Sequence, residues 1–206
     1  MSIDMSMQYT DADAIAAAVA RNLAALRAAR GLSFDQLAAR SGVSKGMLVQ
    51  IEQGRTNPSL LTLCRVASAL GVTIARMVEP APSGLGRVLR AEDFNELWRG
   101  RADSRARLLA GLDGARLVEL WDWRLAPGES YGSEAHPPGS AEMLLVLAGR
   151  LAVEVGAETF VAGKGEAITF EAGHPHRYAC RGPAAARFIM VVVEPRRRGA
   201  PQAPPS

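Results

Sequence analysis

The sequence predicts two domains of different class, an all-α domain followed by a β-rich domain. Before about residue 80, apolar residues recur at spacings of three and four, which is typical of amphipathic helices. After it, short β-branched or alternating runs are separated by Gly and Pro, which is typical of strands and turns. Between the two halves, residues 79–86 (Glu-Pro-Ala-Pro-Ser-Gly-Leu-Gly) have the composition of a linker.

Composition excludes several classes of protein. The 206 residues are 48% hydrophobic and carry a net charge of +3, too small an excess to indicate nucleic-acid binding by charge alone. No apolar run is long enough for a spanning helix, and the N-terminus lacks the pattern of a secretory signal. Two cysteines, Cys64 and Cys180, provide no disulfide framework, which favours a reducing compartment. We therefore expect a cytoplasmic protein with no membrane association.

The domain boundaries follow from these shifts in pattern. We expect a flexible N-terminus (residues 1–15), a helical domain (16–78), a linker with a lead-in strand (79–100), a β-rich domain (101–195) and a disordered, proline-rich tail (196–206).

Five helices are predicted in the first half. Ser33 and Gln36 form an S-x-x-Q capping box at the start of the second helix. Ser44 caps the third, whose apolar stripe is predicted to contain Met47, Leu48 and Ile51. The predicted spans are Ile15–Ala29, Ser33–Arg40, Ser44–Gln53, Ser59–Leu70 and Thr73–Val78.

A tight turn, residues 40–44, joins the second and third helices. The third helix carries Lys45, Gln50 and Gln53 outside its apolar stripe. A helix of this size fits the DNA major groove, where Lys and Gln read base edges. A plain helical bundle with solvated glutamines satisfies the same periodicity, so the pattern alone leaves both interpretations open.

The segment Leu37–Ser59, followed by Leu63–Val72, closely resembles the Cro- and lambda-repressor-like helix-turn-helix family, also called the xenobiotic-response-element family. The resemblance covers about residues 18–78 and implies that residues 33–40 are a supporting helix and 44–53 a recognition helix. It places Lys45, Gly46 and Gln50 towards bases, although Gly46 lacks the longer polar side chain often found there. It implies an inward hydrogen bond or ion pair for Glu52, for which Arg40 is a candidate partner. Phosphate contacts are expected from helix N-termini and the following loop, at Ser33, Ser44, Arg55, Thr56 and Asn57.

The second half contains all three histidines of the chain, accompanied by acidic residues at regular spacing. The two patterns are Gly128-x5-Glu134-x-His136-x5-Glu142-x6-Gly149 and Gly165-x5-Glu171-x-Gly173-x2-His176. We predict His174 to be a loop residue. Strands are predicted at Leu117–Leu125, Met143–Leu147, Leu151–Val155, Ala167–Phe170 and Phe188–Val193.

These patterns are similar to the two cupin motifs over about residues 115–194, which implies a cupin-like β-barrel (a double-stranded β-helix) with a divalent metal in its mouth. Glu134, Glu171 and Cys180 stand where the family has His, Pro and Asn. Imidazole and carboxylate ligands suit Zn, Fe, Ni or Mn. The same residues also fit a metal-free site that binds a small ligand directly. They fit equally a group of polar side chains that only hydrogen-bond to one another. The candidate metal ligands are Glu134, His136, Glu142 and His176, and the candidate pocket residues, each also compatible with a plain core, are Trp121, Trp123, Tyr131, Phe170 and Tyr178.

The pairing of the two domains resembles regulators that join a helix-turn-helix to a cupin sensor. It implies a homodimer that binds a double-stranded DNA operator and a small-molecule effector, such as an amino acid or another small carboxylate. Two alternatives are a metal-dependent cupin enzyme of the dioxygenase or isomerase type, and the antitoxin of a toxin–antitoxin pair. The substitutions at Glu134 and Cys180 disfavour the enzyme, and an antitoxin does not need the second domain. We therefore expect a regulator rather than an enzyme.

Overall fold

The chain divides into two compact units that separate between Arg87 and Val88. The computed structural model describes residues 6–79 and 86–196, with side chains from residue 14 onward. The first unit is all-α, and the second is all-β apart from a short 3-10 helix, Ala91–Asp93. This arrangement confirms the predicted fold class. Within the described residues, no helix has the length and apolar character needed to cross a membrane. Residues 80–85 of the predicted linker and residues 197–206 of the predicted tail lie outside the described residues.

Local capping defines the starts of the helices after the first. Ser33, Ser44, Ser59 and Thr73 each accept a hydrogen bond from the backbone N–H three residues later. The first helix begins at Ser6 rather than at the expected Ile15, because residues 6–14 contain no Gly or Pro to interrupt it. The helices are α1 (Ser6–Ala29), α2 (Phe34–Ser41), α3 (Lys45–Glu52), α4 (Leu60–Leu70) and α5 (Ile74–Val78).

The α-helical unit packs around one apolar core. Leu23 of α1, Leu37 of α2 and Leu48 of α3 are fully buried. Gly42 closes the turn between α2 and α3 in the left-handed conformation, with φ of 67°, and its N–H donates to the carbonyl of Ala38. This turn fixes α3 against α2.

The β unit consists of ten antiparallel strands in two sheets. The six-stranded sheet has the order β1-β2-β3-β10-β5-β8, and the four-stranded sheet has the order β4-β9-β6-β7. No ladder joins the two sheets within residues 88–196, so they face each other without closing into a barrel. The strands are β1 (Asn95–Arg99), β2 (Arg105–Asp113), β3 (Arg116–Leu125), β4 (Ser130–Ser133), β5 (Ala141–Ala148), β6 (Arg150–Val155), β7 (Glu158–Gly163), β8 (Ala167–Glu171), β9 (His176–Cys180) and β10 (Ala186–Pro195).

The register of β3 and β10 fixes which side chains face the interior. Phe188 pairs with Trp123, and Met190 pairs with Trp121. All four side chains are buried, together with Tyr178 of β9. Because side chains alternate along a strand, the residues between them point away from the core.

Gly149 forms the turn between β5 and β6. Its φ is +70°, and a Cβ atom at this position would lie 2.3 Å from the carbonyl oxygen of Ala185. Glycine is therefore required here both by the backbone conformation and by the space.

Candidate DNA interface and candidate metal centre

The polar side of α3 is open to solvent. The predicted base-facing residues Lys45, Gly46 and Gln50 are all exposed. Leu48 and Ile51 anchor the opposite side in the core. No other described part of the α-helical unit covers this face, so within that unit it is accessible to a DNA groove.

Met47 differs from expectation. The sequence places it on the apolar stripe, but it is 37% exposed. The buried stripe is centred between Leu48 and Ile51, which leaves Met47 at its margin beside Gln50. An apolar side chain at this position can contact a thymine methyl group, and sequence reasoning missed it.

The predicted phosphate-contacting residues lie at helix starts and in the loop after α3. Ser33 and Ser44 are exposed N-caps of α2 and α3. Arg55 and Asn57 are exposed, whereas Thr56 is half-buried. Ser33 and Gln36 also make the predicted reciprocal capping box.

Lys45 has a partner on α2. Its Nζ atom lies 3.0 Å from Oδ2 of Asp35, and both side chains are more than half exposed. Exposed pairs of this kind contribute about 0–1 kcal/mol. The pair is weak enough for Lys45 to exchange Asp35 for DNA.

A half-buried ion pair holds the end of α3. Arg27 of α1 donates from Nε to Oε2 of Glu52 at 2.8 Å and from a terminal nitrogen to Oε1 at 2.6 Å. The partner of Glu52 is therefore Arg27, and the expected Arg40 is not involved. Hydrogen bonding to Glu52 raises the pKa of Arg27 despite the opposing effect of burial.

Arg27 joins three elements of the α-helical unit. Its guanidinium also donates to the carbonyl of Leu32 at 3.0 Å and lies 4.2 Å from the centre of the Phe34 ring. Through one side chain, α1 is bonded to the start of α2 and to the end of α3. α3 is thus held in place without using a group on its exposed polar side.

In the β unit, three of the four predicted metal ligands converge. His136 lies in the loop after β4, Glu142 in β5 and His176 at the start of β9. The candidate ligand atoms of these residues all lie within 4.8 Å of one another. Both Nε2 atoms are 3.3 Å from Oε1 of Glu142. Two imidazoles and one carboxylate on one side of a site form a common arrangement for divalent transition metals.

The hydrogen bonds around this cluster orient it inward. His136 Nδ1 lies 2.5 Å from Oε1 of Glu194, and His176 Nδ1 lies 2.8 Å from the carbonyl of His174. A carbonyl only accepts, so Nδ1 of His176 carries a proton, and the same is expected of Nδ1 of His136. A hydrogen-bond partner on Nδ1 holds a metal-binding imidazole so that its Nε2 points towards the ion.

Glu142 has one oxygen satisfied and one not. Tyr178 donates its hydroxyl proton to Oε2 at 2.5 Å, while Oε1 is buried without a hydrogen-bond partner. A buried carboxylate oxygen facing two imidazole Nε2 atoms is an arrangement that a cation completes. The residues present therefore fit a divalent metal.

The electrostatics of the cluster favour the charged forms of both His136 and Glu142. Burial opposes the charge on His136, but interactions with Glu142 and Glu194 outweigh it and raise the pKa of His136 to about 10. Burial also opposes the charge on Glu142, yet His136 and His176 lower the pKa of Glu142 to about 2. The site thus stabilises positive charge beside Glu142, which a proton or a metal ion can supply.

Glu134, the fourth predicted ligand, lies elsewhere. It is exposed in the loop after β4 and is not part of the converging cluster. Glu194 was missed because it lies near the end of the apolar strand β10, 58 residues after His136. His174 is an exposed loop residue, as predicted, and contributes its backbone carbonyl.

The predicted pocket aromatics form one connected cluster near the candidate metal centre. Trp121, Trp123, Phe170 and Tyr178 are buried, and Tyr131 is half-buried. The ring of Phe170 lies 5.1 Å from that of His176, edge-on. Sequence reasoning missed two further rings: Trp98 is 5.2 Å from Tyr131, and Phe188 is stacked 6.1 Å from Trp123.

Comparison with protein families identifies one domain in each unit. Residues 23–76 match the helix-turn-helix family model, and residues 121–192 match the cupin domain model. The chain therefore contains both of the domains whose resemblance was noted in the sequence.

Known transcriptional regulators match this chain over most of its length. The chain is 29% identical to the HTH-type transcriptional regulator SutR of Escherichia coli over 174 residues, 83% of this chain and 92% of SutR. It is 22% identical to the regulator PuuR of the same organism, over 82% of this chain and 91% of PuuR. The crystal structure of an HTH_3 family transcriptional regulator from Vibrio cholerae is 29% identical, with a TM-score of 0.68, and matches 89% of this chain and 99% of its own.

Proposed function

This chain is a helix-turn-helix protein with a cupin domain, and from that premise we propose that it is a sequence-specific, DNA-binding transcription regulator of the cytoplasm. The observation that carries the proposal is the exposed polar side of α3, held by a structural ion pair on its other side. Lys45, Gly46 and Gln50 would face base edges, with Met47 beside them. Ser33, Ser44, Arg55, Thr56 and Asn57 would contact phosphates.

We propose that the chain acts as a homodimer on a double-stranded operator. Two recognition helices would enter half-sites about one DNA turn apart. A single eight-residue helix offers few base contacts, and Gly46 offers none through a side chain. A homodimer doubles the number of base contacts and so would supply the specificity for a DNA sequence that one helix lacks.

The cupin domain would bind the effector. His136, Glu142 and His176 are the proposed ligands of one divalent cation (Zn, Fe, Ni or Mn), which would supply a Lewis acid for a carboxylate of the effector. An amino acid or another small carboxylate fits this chemistry, with Trp121, Trp123, Tyr131, Phe170 and Tyr178 around it. The free energy by which the effector changes DNA affinity would equal the difference between its binding free energies to the DNA-bound and DNA-free states.

The test compares Gln50→Ala with Arg55→Ala after selecting an operator from random DNA. Gln50→Ala should relax base preference, because a side chain that reads bases is lost. Arg55→Ala should weaken binding to every sequence and reduce the salt dependence of log Kd by about one unit of slope.

Arg150→Ala is the control for loss of one exposed arginine, since Arg150 lies on β6 of the other unit. It should leave DNA affinity unchanged. Equal effects of Gln50→Ala and Arg55→Ala on all sequences, or no sequence selected by the wild type, would contradict the proposal.

A second candidate is a metal-dependent enzyme. The observation that favours it is that, among the described residues, three protein ligands converge, which leaves coordination positions for a substrate. Incubation of the metal-loaded chain with candidate carboxylates separates the two. A sensor returns its ligand unchanged, whereas an enzyme converts it over many turnovers.

A further inference from the structure

Tyr178 brings a further polar atom to the candidate metal centre. It lies two residues after His176 on β9, and because side chains alternate along a strand, both point to the same side of the sheet. Its hydroxyl oxygen, Oη, lies 2.5 Å from Oε2 of Glu142 and 2.9 Å from Nε2 of His176. Oη therefore contacts two of the three proposed ligands at once.

The ring of Tyr178 is held by its neighbours in the core. The side chain is 2% exposed, and its ring centre lies 5.7 Å from that of Trp123 and 5.9 Å from that of Phe188. Rings that are packed in this way leave a buried phenol little freedom to turn. The core thus sets the position of Oη beside the cluster.

One hydroxyl proton cannot serve both contacts of Oη. That proton bonds Oε2 of Glu142, so the contact with His176 needs a proton on Nε2 or another positive group there. Nδ1 of His176 already donates to the carbonyl of His174. An imidazole that binds a cation through Nε2 has no proton on that atom to donate. The lone pairs of Nε2 and Oη then face each other at 2.9 Å, which is favourable when both are directed at the same cation.

The distances within the cluster agree with ligands around one ion. Metal–ligand bonds of about 2.1 Å place neighbouring ligand atoms about 3.0 Å apart in an octahedral site and about 3.4 Å apart in a tetrahedral site. Nε2 of His176 lies 2.9 Å from Oη and 3.3 Å from Oε1 of Glu142. Nε2 of His136 lies 3.3 Å from the same Oε1. All three separations are close to those expected of adjacent ligands.

The three converging residues leave part of a coordination sphere to be filled. Glu134 is exposed and is not part of the converging cluster, so it does not supply a fourth ligand. A phenolate is an anionic oxygen donor of the same kind as a carboxylate, and it suits Fe, Mn or Zn. Tyr178 therefore offers both the position and the chemistry that Glu134 does not.

We propose that Tyr178 is a fourth protein ligand of the cation, bound through Oη as a phenolate. This inference rests on the proposed metal centre of His136, Glu142 and His176. The hydroxyl proton passes to Oε2 of Glu142, with which it is already hydrogen-bonded, so coordination needs no base from outside the cluster. An octahedral ion then keeps two of its six positions for the effector.

The test uses the full-length chain, loaded with Fe²⁺ under anaerobic conditions, freed of excess metal and then oxidised in air. A phenolate bound to Fe³⁺ gives a charge-transfer band in the visible region, which imidazole and carboxylate ligands do not give. We expect the wild-type chain to show this band, together with the resonance Raman vibrations of a tyrosine ring. Tyr178→Phe keeps the ring and removes Oη, so it should bind iron without the band.

Zn²⁺ affinity is the second measurement. Tyr178→Phe should lower it by roughly 10- to 100-fold. A tyrosine that only hydrogen-bonds to Glu142 would cause a similar loss of affinity, so the band of the iron-loaded chain decides between the two roles. If Tyr178→Phe does not fold, as judged by circular dichroism, the wild-type spectrum alone decides, because a structural tyrosine gives no band.

Tyr9→Phe is the control for loss of a tyrosine elsewhere, since Tyr9 lies in α1 of the α-helical unit. It should bind iron and keep the band. Iron bound by the wild type without the band, a band retained by Tyr178→Phe, or a band lost in Tyr9→Phe would each overturn Tyr178 as a ligand.

The outcomes separate this inference from the proposed function. Iron bound without the band contradicts Tyr178 as a ligand and leaves the metal centre standing. A chain that binds neither Fe²⁺ nor Zn²⁺ contradicts the metal centre and Tyr178 together. A chain that shows the band but selects no DNA sequence supports Tyr178 as a ligand and contradicts the regulator.

Discussion

The two units each place a glutamate away from solvent, but they satisfy it differently. Both oxygens of Glu52 accept hydrogen bonds from Arg27. Oε2 of Glu142 accepts a hydrogen bond from Tyr178, and Oε1 lies 3.3 Å from Nε2 of both His136 and His176. Glu52 is paired with a guanidinium that is always charged, whereas the positive charge beside Glu142 is supplied either by a proton on His136 or by a metal ion.

This difference separates a structural carboxylate from one available for binding. A saturated ion pair stabilises one arrangement of helices and has no capacity left for a ligand. A carboxylate whose partner is a titratable imidazole can exchange the proton of that imidazole for a metal ion. The same residue type therefore fixes α3 in one unit and is a proposed metal ligand in the other.

The largest expected effect is on metal affinity. Glu142→Gln replaces the charged ligand by a neutral amide, and we expect the affinity for Zn²⁺ to fall at least 100-fold, more than loss of an outer partner would cause. Competition with a chromophoric chelator measures it.

Glu134→Gln is the matched control, because it removes an exposed carboxylate of the same sequence motif. Its Zn²⁺ affinity should equal that of the wild type. A larger loss from Glu134→Gln than from Glu142→Gln would restore the four-ligand set expected from sequence and contradict the three-residue cluster.

The next effect is on stability of the α-helical unit. Arg27→Ala or Glu52→Ala should each lower the free energy of unfolding by about 2 kcal/mol, because the remaining half-buried charge loses its partner. The double variant should lose less than the sum of the two, which denaturant unfolding measures as a double-mutant cycle.

The exposed pair of Lys45 and Asp35 serves as the comparison for that cycle. Its coupling should stay within about 0.5 kcal/mol. If the coupling between Arg27 and Glu52 were equally small, the ion pair would not hold α3.

The smallest effect concerns a third carboxylate, Asp122, on the six-stranded sheet. Burial acts to raise its pKa, but hydrogen bonds from Arg187 and Arg107 outweigh this and lower the pKa below its usual value. A lowered pKa in the folded state means that the stabilisation is present above the unfolded value of about 3.9 and is lost as the pH falls.

Asp122→Asn should therefore cost about 1 kcal/mol at neutral pH and progressively less below about pH 4. Urea unfolding at several pH values measures the difference between the two chains. A difference that grows on acidification would show that Asp122 acts through packing rather than through its charge.

Features with a local cause could be predicted from the sequence. Ser33 and Ser44 cap their helices through atoms three residues away, so the signal lies within one turn. His136, Glu142 and His176 were found through motif spacing, because strands of fixed length bring such positions together. The five predicted strands are all present, since each is an apolar run.

Features with a distant cause could not be predicted. Arg27 and Glu52 are 25 residues apart, and no pattern links them more strongly than Arg40 and Glu52. The short strands β4 and β9 alternate weakly and pair because the neighbouring strands require them. Met47 lies at the margin of its stripe, where only the packing of Leu48 and Ile51 decides its direction.

The crowded turn at Gly149 has an evolutionary consequence. Since the Ala185 carbonyl occupies the place of a side chain, two loops distant in the sequence share one volume. A descendant of this gene that lengthens or reshapes either loop must alter the other in the same lineage. Because the crowding atom is a backbone carbonyl that any residue at 185 would present, an invariant glycine at position 149 is the trace that this contact should leave among homologous genes.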